Sequence, residues 1–83
     1  MGEAKEAITY YQSAIKIDKE VSDVYFNLAN AYYFLNEIDQ AITHYKRAVH
    51  LNPSKVEGFY NLGNAYCMKS NFDNAIQYFL KAI

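Results

Sequence analysis

Tyr25-Phe26-Asn27-Leu28-Ala29-Asn30-Ala31-Tyr32 returns 34 residues later as Phe59-Tyr60-Asn61-Leu62-Gly63-Asn64-Ala65-Tyr66. The echo extends on both sides. Residues 22–49 align with 56–83 at nine identities in 28 positions, among them Asp39 with Asp73, Ala41 with Ala75, Ile42 with Ile76 and Ala48 with Ala82. Other pairs keep their character, such as Tyr45 with Phe79. A fixed period of this size marks a stacked-repeat architecture, in which one unit cannot bury its own apolar face.

Within each unit the apolar residues recur at helical spacing. Val24, Leu28, Ala31, Tyr32 and Leu35 predict one helix, and Asn36-Glu37 a short turn. Ile38, Ala41, Ile42, Tyr45, Ala48 and Val49 predict a second helix, stopped at Asn52-Pro53-Ser54 because the residue before proline is pushed out of the α region. The cycle then repeats, with a helix from about Val56 to Lys69, a turn at Ser70-Asn71 and a helix from about Phe72 onward. Ser22 and Asp23 stand where an N-cap or a first-turn acid is favoured. Shifted by the same period, Glu3, Ala7, Ile8, Thr9, Tyr11 and Ala14 match Glu37, Ala41, Ile42, Thr43, Tyr45 and Ala48, so the opening residues are the second half of a further unit. Asp18-Lys19 replaces Asn52-Pro53 there, and that turn is expected to be less rigid without its proline.

Tyr25-x2-Leu28-Ala29-x2-Tyr32 and Phe59-x2-Leu62-Gly63-x2-Tyr66 resemble the opening of a tetratricopeptide repeat (TPR). Ala41-x3-Tyr45-x2-Ala48 with Pro53, Ala75-x3-Phe79-x2-Ala82 and Ala7-x3-Tyr11-x2-Ala14 resemble its second half. The departures are Tyr or Phe for the usual Trp and the missing proline. The resemblance implies an all-α, right-handed α-solenoid of antiparallel helix-turn-helix units, five helices in one domain. Residues 2–19 would be the second half of a repeat, 22–55 a full repeat and 56–83 a nearly full one. Ala29 or Gly63 is then expected to face Ala41 or Ala75 where the two helices of a unit cross, with Ala48 and Ala82 at the next crossing.

The resemblance also implies a non-catalytic scaffold that binds a peptide segment of a partner protein in a concave groove lined by the first helix of each unit. The family's contact positions fall on Asp23, Phe26, Asn27, Asn30 and Tyr33, and again on Glu57, Tyr60, Asn61, Asn64 and Cys67. Asparagine is a mediocre helix former, so two in mid-helix at repeating offsets ask for a reason. A carboxamide carries both donor and acceptor and can pair with an extended backbone whatever its sequence. Asn27 and Asn61 lead the set. The competing reading has these amides bonding neighbouring helices and stabilising the stack. The carboxylate clamp of chaperone-binding members is not matched, since its third-repeat Lys and Arg would fall on Glu57 and Asn61. Asp23 and Glu57 instead make the groove locally acidic and favour a neutral or basic guest. Two alternatives stand beside this function: a structural or self-assembly spacer, and the substrate-recruiting TPR arm of a larger enzyme.

Composition narrows the classes. In 83 residues, 52% hydrophobic and 17% aromatic content supports a packed core, and one Pro with three Gly suits long helices. A formal charge of −1 with scattered cations selects neither nucleic acid nor an anionic membrane. The single Cys excludes an internal disulfide and a Cys-based metal cluster, and a soluble, cytoplasmic protein is expected. No cofactor, metal or catalytic residue is implied. His44 and His50, six apart, lack a helical metal spacing and read as solvated surface residues. Cys67 has no catalytic neighbour and reads as a groove-lining or half-buried thiol. The ends carry no capping helix. Tyr11, Ala7 and Ala14 at one end, and Ala65, Ile76 and Ile83 at the other, are expected to be exposed, with self-association through those ends or a longer parent protein as the consequence.

Overall fold

The computed structural model describes residues 2–83. It holds five helices: α1 Gly2–Ile17, α2 Ser22–Phe34, α3 Ile38–Leu51, α4 Val56–Met68 and α5 Phe72–Ala82, with no strand among the described residues. The chief packing pairs are sequence neighbours, α1 on α2, α2 on α3, α3 on α4 and α4 on α5. The result is a two-layer slab of 33 × 26 × 14 Å, with α2 and α4 in one layer and α1, α3 and α5 in the other.

Both tight turns use one device. Asn36 and Ser70 take left-handed backbone, at φ 64° and 57°. Asn36 N–H donates to Tyr33 O and Glu37 N–H to Tyr32 O; Ser70 N–H donates to Cys67 O and Asn71 N–H to Tyr66 O, each at 2.9 Å. These paired bonds satisfy the last carbonyls of α2 and α4 and reverse the chain in two residues. Between units, Asp18 Oδ1 accepts Glu20 N–H at 3.0 Å, as Asn52 Oδ1 accepts Ser54 N–H at 3.2 Å. Asp18 thus forms the turn of the first junction without the proline. Ser22 is not an N-cap. Val21 occupies that position without a side-chain bond, and the Ser22 hydroxyl donates instead to Ala48 O at 3.0 Å, fastening α2 to α3.

The core follows the predicted stripe. Leu28, Ala29, Ala41, Tyr45, Leu62, Ala65 and Ala75 are essentially inaccessible. Burying each of the leucines contributes about 1.5–3 kcal/mol. The small residues lie at the crossings as expected, but at Gly63 the limiting neighbour is not Ala75. A Cβ there would come within 2.6 Å of the Phe79 ring. Gly58 is buried for a similar reason at the junction between units, where a Cβ would meet Val49 Cγ1 at 2.7 Å. The exposed end face is also partly corrected. Ile76 and Ile83 are exposed, but Ala65 is fully buried within the core cluster, and Ala7, Tyr11 and Ala14 are half-buried and not exposed.

Candidate peptide-binding groove

In α2, Asn30 is half-buried and its Oδ1 is a shared acceptor. The Tyr45 hydroxyl donates to it from α3 beneath, and Asn61 Nδ2 donates to it from α4 at 3.3 Å. Asn30, Tyr33, Tyr45, Asn61 and Asn64 together enclose a cavity of about 140 Å³. Burial pushes the Tyr45 phenol up to about 12, the adjacent Tyr33 adds to the rise, and the hydrogen bond with Asn61 opposes it. The Tyr45 hydroxyl therefore stays protonated and keeps donating to Asn30. With that oxygen engaged twice, Asn30 offers only its Nδ2 protons outward, whereas Asn61 keeps its own oxygen free to accept.

The other predicted positions surround this cavity. Phe26 is half-buried and rests edge-on against Tyr45, with ring centroids 5.9 Å apart. Tyr60 is exposed and leans on Phe79 at 5.7 Å, the same pairing one unit on. Asp23 and Glu57 lie in the first turns of α2 and α4. Asp23 is not free, because Lys55 Nζ lies 3.3 Å from its carboxylate and 4.5 Å from the Phe26 ring centroid. Glu57 stands exposed beside Tyr60 in a shallow concavity with Val56 and Ala82. Asn27 is exposed and outside the cavity lining. Asn61 is joined to Asn30, not to Asn27. Cys67 is half-buried and packs against the core cluster, away from the cavity.

Tyr45 is the groove residue that the sequence reading assigned to the core alone. Its signal was the hydroxyl itself, since a buried tyrosine usually finds a hydrogen-bond partner and the next unit has Phe79 at the equivalent place. His44 also departs from expectation. It is half-buried and stacked between Tyr25 and Tyr32, at 6.3 and 5.3 Å, with Nδ1 2.7 Å from Gln40 O. His50 is exposed.

With this geometry, the repeat family models match along the chain, as "TPR repeat" over residues 1–36 and 29–70 and as "Tetratricopeptide repeat" over 59–83. The chain belongs to the tetratricopeptide repeat family. Among solved structures it is similar to two crystal structures of MamA, each 32% identical over 96% of this chain, with TM-scores of 0.94 and 0.92. A MamA structure from Desulfovibrio magneticus RS-1, 21% identical with a TM-score of 0.92, shares the fold. The chain spans 47%, 44% and 45% of those three structures, about half their length. No curated protein matches it by sequence. Fold and family make this TPR chain a protein-interaction scaffold of a typically non-catalytic kind. Among the described residues no helix is long and apolar enough to cross a membrane.

Proposed function

We propose that the α2–α4 face binds an extended peptide segment of a partner protein, with Asn30 and Asn61 pairing with its backbone. The supporting observation is the Asn30–Asn61 bridge between two helices beside a lined cavity. Asn30 then serves a ligand carbonyl and Asn61 a ligand N–H. Phe26 and Tyr60 flank the pair as apolar contacts. The guest is neutral or basic, since Glu57 stands exposed while Asp23 is matched by Lys55. With two complete first helices the groove is short, and affinity on the order of micromolar or weaker is expected. The chain acts without catalysis, in the cytoplasm.

A peptide array of neutral and basic extended sequences, probed with the wild type and with Asn30→Ala and Asn61→Ala, tests this. Both variants should lose most of the array signal; Asn61→Ala should melt close to the wild type, whereas Asn30→Ala strands the buried Tyr45 hydroxyl and should melt lower, so Asn61→Ala decides. Unchanged capture would leave the amides as internal struts. One observation favours a second reading, a self-assembly segment. Phe72, Ile76 and Leu80 form an exposed apolar stripe along α5. Light scattering over a concentration series distinguishes it, because a strict monomer at high concentration would remove that reading.

A further inference from the structure

The side of the slab opposite the groove has its own repeating feature, to which α2 and α4 each lend two rings and α3 and α5 one each. Three rings stack at each unit: Tyr25, His44 and Tyr32 in one, Phe59, Tyr78 and Tyr66 in the next. Beside each stack lies an open concavity. The first, of about 470 Å³, runs between α1 and α3 over Tyr25 and His44; the second, of about 430 Å³, runs between α3 and α5 over Phe59 and Tyr78. Their walls also correspond at the 34-residue period: Ile15 with Val49, and Lys16 with His50.

The charge around them is one-sided. Arg47 lies 5.7 Å from the Tyr25 ring centroid and its equivalent Lys81 5.9 Å from that of Phe59. Lys46 lies 5.8 Å from the Tyr66 ring centroid, and Lys16 lines the first concavity. No carboxylate lines either concavity. The ion pairs of the described residues are elsewhere, Lys55 with Asp23 and Lys69 with Asp39. Favourable placement in a last helical turn accounts for Lys16, His50 and Lys81. It does not account for Lys46 and Arg47, which sit nearer the middle of α3.

We propose that this face is a second binding surface, taking an acidic segment of a partner protein. The segment's carboxylates meet Lys46, Arg47 and Lys81, and its apolar side chains seat in the two aromatic-floored concavities. A guanidinium or ammonium over a ring keeps its outer protons free for such a carboxylate. A polynucleotide fits less well. The cations stand in ones and twos beside apolar hollows, and the whole chain carries a charge of −1, so few phosphates would be neutralised.

The test is fluorescence anisotropy with a labelled peptide of repeating Glu-Glu-Leu, against wild type and a Lys46→Gln/Arg47→Gln/Lys81→Gln variant. Wild type should bind, more weakly as salt rises, and the variant should lose roughly tenfold or more, as three exposed charge contacts together predict. The variant should keep its capture on the neutral and basic array, so failure here and failure of the groove reading are distinguishable. Should the triple variant melt early, Arg47→Gln and Lys81→Gln singly are expected to lose several-fold each. Equal binding by wild type and variants, salt-insensitive binding, or no binding at low salt overturns the proposal. So does loss of this binding in Asn61→Ala, which would put the acidic peptide in the groove, or stronger binding of an oligothymidylate of equal charge.

Discussion

The unit at 22–55 and the unit at 56–83 share a backbone plan and differ in how their crossing is finished. In the first, Ala29 shares the core with Tyr45, whose hydroxyl is anchored on Asn30. In the second, Gly63 sits over Phe79, which has no hydroxyl and brings its ring to where a Cβ on residue 63 would be. The small residue and the aromatic covary between the units. A polar tether holds one ring on the groove side, and pure packing lets the other settle against α4. One period therefore supports a polar crossing that shapes the groove and an apolar one that only fills space.

The largest effect is expected where the units agree. Ala41→Leu and Ala75→Leu, both at fully buried crossings, should each destabilise by about 3 kcal/mol through overpacking. Denaturant unfolding that spared either one would show the crossings are not equivalent. Next, Gly63→Ala sets a helix-propensity gain of about 0.5–1 kcal/mol against a clash with a rigid ring. The clash should win by about 1–2 kcal/mol, and a double-mutant cycle with Phe79→Leu should recover much of it. Stabilisation by Gly63→Ala would break the contrast with Ala29.

Tyr45→Phe, which gives the first unit the residue of the second, should cost about 1 kcal/mol for one lost hydrogen bond. Its pH signature is more specific. The folded phenol is raised to about 12 from 10.0, so its contribution is fully present below pH 10 and is lost as pH rises toward 12. Stability curves of wild type should fall more steeply across that window than those of Tyr45→Phe. The smallest change is Lys55→Met. Its Asp23 partner is largely exposed, and unfolding free energy should move by less than about 0.5 kcal/mol. Array preference for basic peptides should sharpen, because Asp23 is then unmatched.

Most of the architecture was legible because the repeat states it twice. The turns at Asn36-Glu37 and Ser70-Asn71, the stop at Pro53 and the stripe through Leu28 and Leu62 all lie on local periodicity. What escaped depends on contacts between units or layers. Ala65 is buried because α5 folds back over α4, a contact that the local periodicity does not show. Ser22 bonds a carbonyl 26 residues away instead of capping its own helix. Asn30, not Asn27, meets Asn61, because the approach of α2 to α4 selects which turn faces inward. The sequence around His44 points to solvent, but the rings of Tyr25 and Tyr32 that flank it come from the partner helix.

That the helices pack chiefly on their neighbours in sequence has a kinetic consequence. Stability in such an array is distributed along a line, and opening can begin at one end without breaking the rest. α1 contributes no buried residue, whereas α3 and α4 hold most of the core. Backbone amides should therefore exchange with solvent first along α1 and last where α3 meets α4. The Asn30–Asn61 bridge joins α2 to α4, and the Tyr45 hydroxyl of α3 also holds Asn30, so the groove is tied to the slow part while α1 already exchanges.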